Sequence, residues 1–326
     1  MRGSIDRAGF ARALAATAAA GSIGWRGSAA RADDSPPIVV ASLINDTATA
    51  ALWAAHAGTF KKAGLNIQLQ VFASGGAATA AVAGGAAQFG ISSLIGVITA
   101  HDRGVPFTLV APAGVITPDV PYSQFVVRKD TTYKNGADLN GKTVGCAALK
   151  DLDAIAIANW VDINGGDSRT LKYVEMPGPV AAAAIEDGRI DGADLNTPTL
   201  ARALDGGKVR VLAQIFDAIA PRFINTAWFA LADYANANHD VVTRFAAAIT
   251  EANKYCNAHH ADTVPLVAQN AKLDETEVAR MTRITFSDAL RPQEIQPLID
   301  VAAKYKAIAK PFDARILISP YAPKPA

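Results

Sequence analysis

A chain of 326 residues, 50% hydrophobic and 19% charged, can bury the cores of two ordinary domains, which excludes wholesale disorder. A formal net charge of +1, with no basic run interleaved with aromatics, excludes a nucleic-acid-binding role. Neither Cys146 nor Cys256 has a second cysteine or a histidine at ligand spacing, so the cysteines do not point to a metal site.

The chain opens with Arg2, Arg7 and Arg12 ahead of an alanine-rich run from Ala13 to Ile23, and Ala30-Arg31-Ala32 makes a small-x-small site before Asp33. This pattern predicts an export signal over 1–32, cleaved after Ala32 and releasing a periplasmic protein. The run is too short, and too broken by Gly21 and Gly24, to span a bilayer.

From Ile38 to Leu43 an apolar run predicts a buried strand. Asn45-Asp46-Thr47 then caps a helix that presents Ala48, Ala51, Leu52 and Ala55 and ends at Gly58, a residue free to adopt the left-handed conformation. Strict alternation from Leu65 to Phe72 predicts a half-exposed strand. Ser74-Gly75-Gly76 and Ser92-Ser93 each open a helix with bare amides and hydroxyls, good seats for a small polar or anionic ligand. Strands at Gln88 to Ile91 and Phe107 to Ala111 flank the second of these helices.

Pro118 and Pro121 mark the approach to a domain crossing. Beyond it, strands are predicted at Ser123 to Arg128, Thr143 to Cys146, Leu171 to Glu175, Ile190 to Leu195 and Val209 to Ile215, with helices at Leu152 to Ile163 and Val180 to Asp187. Asn225 to Ala230 reads as the returning strand. Helices over Asp240 to His259, Thr263 to Asn270, Asp274 to Ile284 and Pro292 to Ile308 would complete the first lobe and brace its back, and Pro320 to Ala326 would be a loose tail. This alternation of strand and helix predicts an α/β fold of two mainly parallel-sheet lobes joined by two crossing segments. Lobe one is assigned 33–122 and 224–326, and lobe two 123–223. A faint echo between Ala83 to Ser92 and Ile185 to Asp194 fits two lobes of similar build. Cys146 and Cys256 then fall in different lobes, where a bridge would oppose hinge motion, so both are expected to be buried free thiols.

Several of these stretches carry a resemblance: Ala54-x-x-x-Gly58-x-Phe60-Lys61-Lys62-x-Gly64-Leu65, the Phe72-Ala73-Ser74-Gly75-Gly76 loop, and Ala83-Gly84-x-x-x-Gln88-Phe89-Gly90. It continues in Asp138-Leu139-Asn140-Gly141-Lys142-x-Val144-Gly145 and Ala183-x-x-x-x-Gly188-Arg189-Ile190-Asp191-Gly192-Ala193. In order and spacing these resemble the periplasmic solute-binding proteins of nitrate, sulfonate and taurine ABC importers, a family that includes binders of thiamine pyrimidine precursors. The resemblance implies a type II bilobal binding protein that is monomeric and cofactor-free. Such a protein closes on one small molecule and presents it to an inner-membrane ABC permease.

Ligands of such folds sit where strand ends meet helix starts, between the domains. Those joints are Asn45, Asp46, Thr47, Ser74, Gly75, Gly76, Ser92 and Ser93 on lobe one, and Ala148, Leu149, Lys150, Asp151, Leu152, Pro177, Asp194, Asn196 and Thr197 on lobe two. Each is equally readable alone as a turn or cap. Lys150, at a helix start, would meet an anion, and Arg222 would add to it from the lobe junction. Trp228 would either stack on a planar ligand or pack the hinge. The leading ligand class is a small organic anion, a sulfonate or carboxylate. Asp46, Asp151 and Asp194 oppose a bare anion and suit a ligand with hydrogen-bond donors, such as an amine or a neutral pyrimidine.

No nucleophile, base or metal set emerges. His259-His260 are adjacent on a helix and point in different directions, and His56 covers a helix surface. An enzyme remains the rival class, because pyrimidine-synthesising proteins of thiamine metabolism share the fold. They carry a cysteine-rich iron-binding segment that this sequence lacks. An exported sensor is a third reading.

Overall fold

The computed structural model describes residues 36–324; the export signal and cleavage site expected over 1–32 lie outside them. In chain order the first lobe begins with β1 (Ile38–Leu43), α1 (Thr49–His56), α2 (Thr59–Lys62) and β2 (Ile67–Phe72). It continues with α3 (Gly75–Ala83), β3 (Phe89–Ser93), α4 (Leu94–Asp102), β4 (Phe107–Pro112) and the short β5 (Gly114–Ile116). Gly58 takes the expected left-handed conformation, φ 73°, at the turn between α1 and α2. The second lobe holds β6 (Ser123–Arg128), β7 (Thr143–Cys146), α5 (Leu152–Ile163), β8 (Lys172–Glu175), α6 (Gly178–Glu186), β9 (Gly192–Asn196), α7 (Thr199–Asp205) and β10 (Val209–Ala213). The chain returns through β11 (Phe223–Ile224) and β12 (Thr226–Leu231). It ends in α8 (Ala232–Ala237), α9 (His239–Ala258), α10 (His260–Ala271), α11 (Glu275–Arg280), β13 (Thr285–Phe286) and α12 (Pro292–Lys304).

Each lobe is built on a five-stranded sheet, ordered β2-β1-β3-β12-β4 in the first and β10-β6-β9-β7-β8 in the second. In the first, β1 runs parallel to β2 and β3, and β12 runs antiparallel to both of its neighbours, β3 and β4. In the second, β7 is parallel to β8 and β9, and β6 is antiparallel to β9 and β10. One strand is therefore reversed in each otherwise parallel sheet, and both are the first strands of their sheet after a crossing. A chain arriving from the other lobe enters at the cleft edge, so it must run away from the edge toward which the βαβ strands run.

A third sheet, β11-β5-β13, joins the crossings and is not foreseen by the sequence reading. Its strands are only two or three residues long, too short to show alternation. The helix expected over Asp274 to Ile284 stops at Arg280 because the chain there turns extended to supply β13.

The first lobe's centre is aromatic. Phe89 stacks on Phe245 at 4.1 Å, Phe60 stacks on the same ring at 5.7 Å, and Trp228 meets it edge-on at 5.8 Å. A second, smaller cluster of Val126, Ile185, Leu195 and Leu200 fills one face of lobe two. Helix α12 does more than brace lobe one. Its Lys304 Nζ donates to Asn159 Oδ1 at 2.8 Å, and Tyr305 just beyond it donates to Asp162 Oδ2 at 2.7 Å, both on α5. The tail is not loose as far as it is described: Tyr321 lies 5.6 Å from His239 and Ala322 is buried. Cys146 and Cys256 are both buried and unpaired.

Candidate ligand cleft

The strand ends of the two lobes face one another across a cleft of about 670 Å³. Three features build its first-lobe wall. The loop after β1 brings Asn45 and Thr47, whose hydroxyl donates to Asn45 Oδ1 at 2.6 Å. The start of α3 brings Ser74, Gly75 and Gly76, with Ser74 capping the helix by accepting from Ala77 N at 3.2 Å. The end of β3 brings Ser92 and Ser93 into the first turn of α4. A Cβ on Gly75 would lie 2.5 Å from Ser92 Oγ, so the two helix starts approach this closely only because Gly75 has no side chain.

The second-lobe wall is the loop from Ala147 to Asp153, together with Asp194, Asn196 and Phe216. Ala148, Leu149, Lys150, Asp151 and Leu152 all line the cleft. Lys150 sits at φ 65°, a left-handed conformation that costs a side-chain-bearing residue on the order of 1 kcal/mol and is common at functional loops. Asp151 caps α5 by accepting from its Leu152 N at 2.8 Å, and the same oxygen accepts from Ser93 Oγ across the cleft at 3.1 Å. Tyr122 and Ser123 close the cleft where the first crossing enters lobe two, and Asn225 and Thr226 where the second returns.

The charge on the two walls is unequal. Lobe one contributes Arg103 among hydroxyls and amides, whereas lobe two contributes Asp151, Asp153 and Asp194 against Lys150. Burial, then the neighbouring Asp153, pushes the Asp194 carboxyl up to about 7. Asp153 is raised by burial and by Asp151. Burial first, then Asp46, pushes the Tyr122 hydroxyl up, so it stays a neutral donor.

Four residues expected at the ligand lie elsewhere. Asp46 is buried in lobe one, where Oδ1 accepts from Arg283 Nε at 2.8 Å and Oδ2 from Ile284 N at 2.8 Å. Trp228 is fully buried in the aromatic centre and presents no face to the cleft. The Thr197 hydroxyl donates to Thr282 O at 2.9 Å and ties lobe two to the segment before β13. Pro177 precedes α6 and is not among the cleft-lining residues. Arg222, expected at the junction, instead pairs with Glu294 at 2.9 Å.

Arg103, Thr79, Tyr122, Ser123, Asp153 and Asn225 line the cleft without having been singled out. Asp153 had a signal, an acid in the first turn of a capped helix, but it reads there as helix-dipole complement. Arg103 ends α4, where a cation reads as a C-terminal charge.

The sequence profile described as NMT1/THI5 like matches residues 45–263. The chain belongs to that family. No curated protein matches the sequence. Among solved structures, the NMT1/THI5-like chain is similar to the periplasmic aliphatic sulphonate binding protein SsuA from Escherichia coli, at TM-score 0.73 and 19% identity over 90% of this chain and 95% of that one. It is also similar to the alkanesulfonate-binding protein SsuA from Xanthomonas axonopodis pv. citri bound to MOPS, at TM-score 0.68 and 17% identity over 88% and 97%. The periplasmic nitrate-binding protein NrtA from Synechocystis PCC 6803 matches at TM-score 0.69 and 12% identity over 86% and 84%. At such identities the likeness establishes the periplasmic-binding-protein fold, two lobes about a cleft. No described helix is long and apolar enough to cross a membrane.

Proposed function

We propose that this NMT1/THI5-like protein is the extracytoplasmic solute-binding component of an ABC importer, not an enzyme. It would act in the periplasm after removal of residues 1–32, as a monomer handing its ligand to an inner-membrane permease. The observation that carries this reading is the cleft itself, walled by helix starts on both lobes and spanned by the Ser93 to Asp151 hydrogen bond. Lobe one, 33–122 with 224–326, and lobe two, 123–223, rotate about the crossings to close on the ligand, and the closed form is what the permease recognises.

The ligand is a small organic molecule with an acidic group. The first-turn amides of α3 at Gly75 and Gly76 and the hydroxyls of Ser74, Ser92 and Ser93, with Lys150 opposite, suit an anionic head such as a sulfonate or carboxylate. The test is calorimetric titration of the chain from Asp33 with alkanesulfonates, aromatic carboxylates, nitrate and pyrimidines. Saturable binding of one acidic class, lost in Lys150→Met, supports the reading. Binding of no acidic class defeats it.

A further inference from the structure

Beside the main cleft, lobe two holds a second, smaller pocket of about 120 Å³. It lies between the end of β7, the starts of α6 and α7, and the end of β9, and shares Ala147, Asp153, Asp194 and Asn196 with the cleft. Of its charged lining residues both are carboxylates, Asp153 and Asp194, and none is a cation. Besides Asn196 and Thr199, the remaining lining is small or apolar and includes Cys146, Met176 and Ala181.

Of the two carboxylates, Asp194 leaves a buried oxygen unpaired. Asp153 Oδ2 accepts from Ala147 N at 3.2 Å. Asp194 Oδ2 accepts from Ser123 Oγ, while Asp194 Oδ1 is enclosed and has no hydrogen-bond partner. A buried carboxylate oxygen without a donor is costly, and a fold that keeps one at the mouth of a pocket holds an acceptor in reserve. A core role would favour an asparagine or an apolar residue of similar size here, since among the described residues no cation pairs with Asp194 as Arg283 pairs with Asp46.

We propose that this side pocket is a subsite for a cationic nitrogen head of the ligand, a primary ammonium or an amidine-like group, held between Asp194 and Asp153. The proposal rests on the binding-protein reading and narrows it: the ligand carries a nitrogen donor head as well as the acidic group seated on lobe one. The excess of acids on one wall follows, with Arg103 and hydroxyls on lobe one and three carboxylates beside Lys150 on lobe two. The pocket's size admits a head of a few heavy atoms and excludes a ring bearing further substituents.

Fragments test the subsite without knowledge of the whole ligand. Methylammonium and acetamidinium chlorides are titrated to tens of millimolar against the mature chain, with acetamide and sodium chloride as controls, by thermal unfolding and by chemical-shift perturbation. A saturable rise in melting temperature with either cation but not with acetamide, lost in both Asp194→Asn and Thr199→Leu, is the expected result. Thr199→Leu fills the pocket without removing either carboxylate, and Asp194→Asn relieves repulsion, so both variants should fold. No saturable shift with either cation, or an equal shift in Asp194→Asn, overturns the subsite. Such a failure leaves the acidic-ligand titration above unaffected, and the two readings are thus separately refutable.

Discussion

Replacing Asp46 should damage stability and leave ligand affinity intact, although the residue sits between two cleft residues in sequence. Its carboxylate receives Arg283 Nε at 2.8 Å, Arg283 Nη2 at 2.7 Å, Thr49 Oγ1 at 2.9 Å and the Ile284 amide at 2.8 Å. The side chains of the pair are 1% and 5% exposed, so water cannot replace a lost partner. Asp46→Ala strands a buried guanidinium, a loss of about 3–5 kcal/mol for removing one partner of such a pair. With an unfolding entropy of about 2.1 cal/mol/K per residue, a chain of this size loses roughly 1.6 °C per kcal/mol, giving a fall of about 5–8 °C. The assay is thermal and urea unfolding of the single variants and of Asp46→Leu with Arg283→Met. The double variant, in which no charge is left unpaired, should recover most of the loss. An Asp46→Ala protein that melts with the parent but binds its ligand tenfold more weakly would refute this reasoning and return Asp46 to the site.

Asp194 predicts a pH dependence of the unliganded protein. Its folded-state pKa of about 7 lies above the ordinary value of 3.8, so the folded state keeps a proton that the unfolded chain releases. The contribution is therefore fully present below about pH 4 and is lost as pH rises to about 7, at roughly 1.4 kcal/mol per unit as an upper bound. Asp194→Asn should consequently stabilise the apo protein more at pH 8 than at pH 5, and equal effects at both would contradict the assignment. Gly75→Ala should cost about 1–3 kcal/mol by overpacking against Ser92, and Ser92→Ala in the same chain should restore it in denaturant titrations. Burial, the largest cause in each case, pushes the thiols of Cys146 and Cys256 up to about 12. Maleimide should label neither in the native protein and both in guanidinium, and rapid native labelling would show either site to be open.

How much of the site was legible depends on the range of the interactions that decide it. Ser74 and Asp151 were readable because a capping residue declares itself within a few positions, and the α/β rhythm then places every such joint on one edge of its sheet. Asp46 was misplaced for the converse reason: its partner Arg283 lies 237 residues away, and no local pattern announces a pairing of that kind. Trp228 was placed on the correct strand, but which side of β12 it faces depends on Phe245 of α9 filling the other side of the contact.

The sequence by itself determined the strand and helix alternation of the two main sheets and the family, because periodicity, caps and turn residues act over short stretches. Tertiary structure alone decided which acids face the cleft. A carboxylate's role follows from whether folding brings a cation to it, as at Asp46, or leaves an oxygen unpaired beside a pocket, as at Asp194. It also decided the three-stranded junction and the reach of α12 onto α5, since contacts between distant segments leave no periodic trace in either segment.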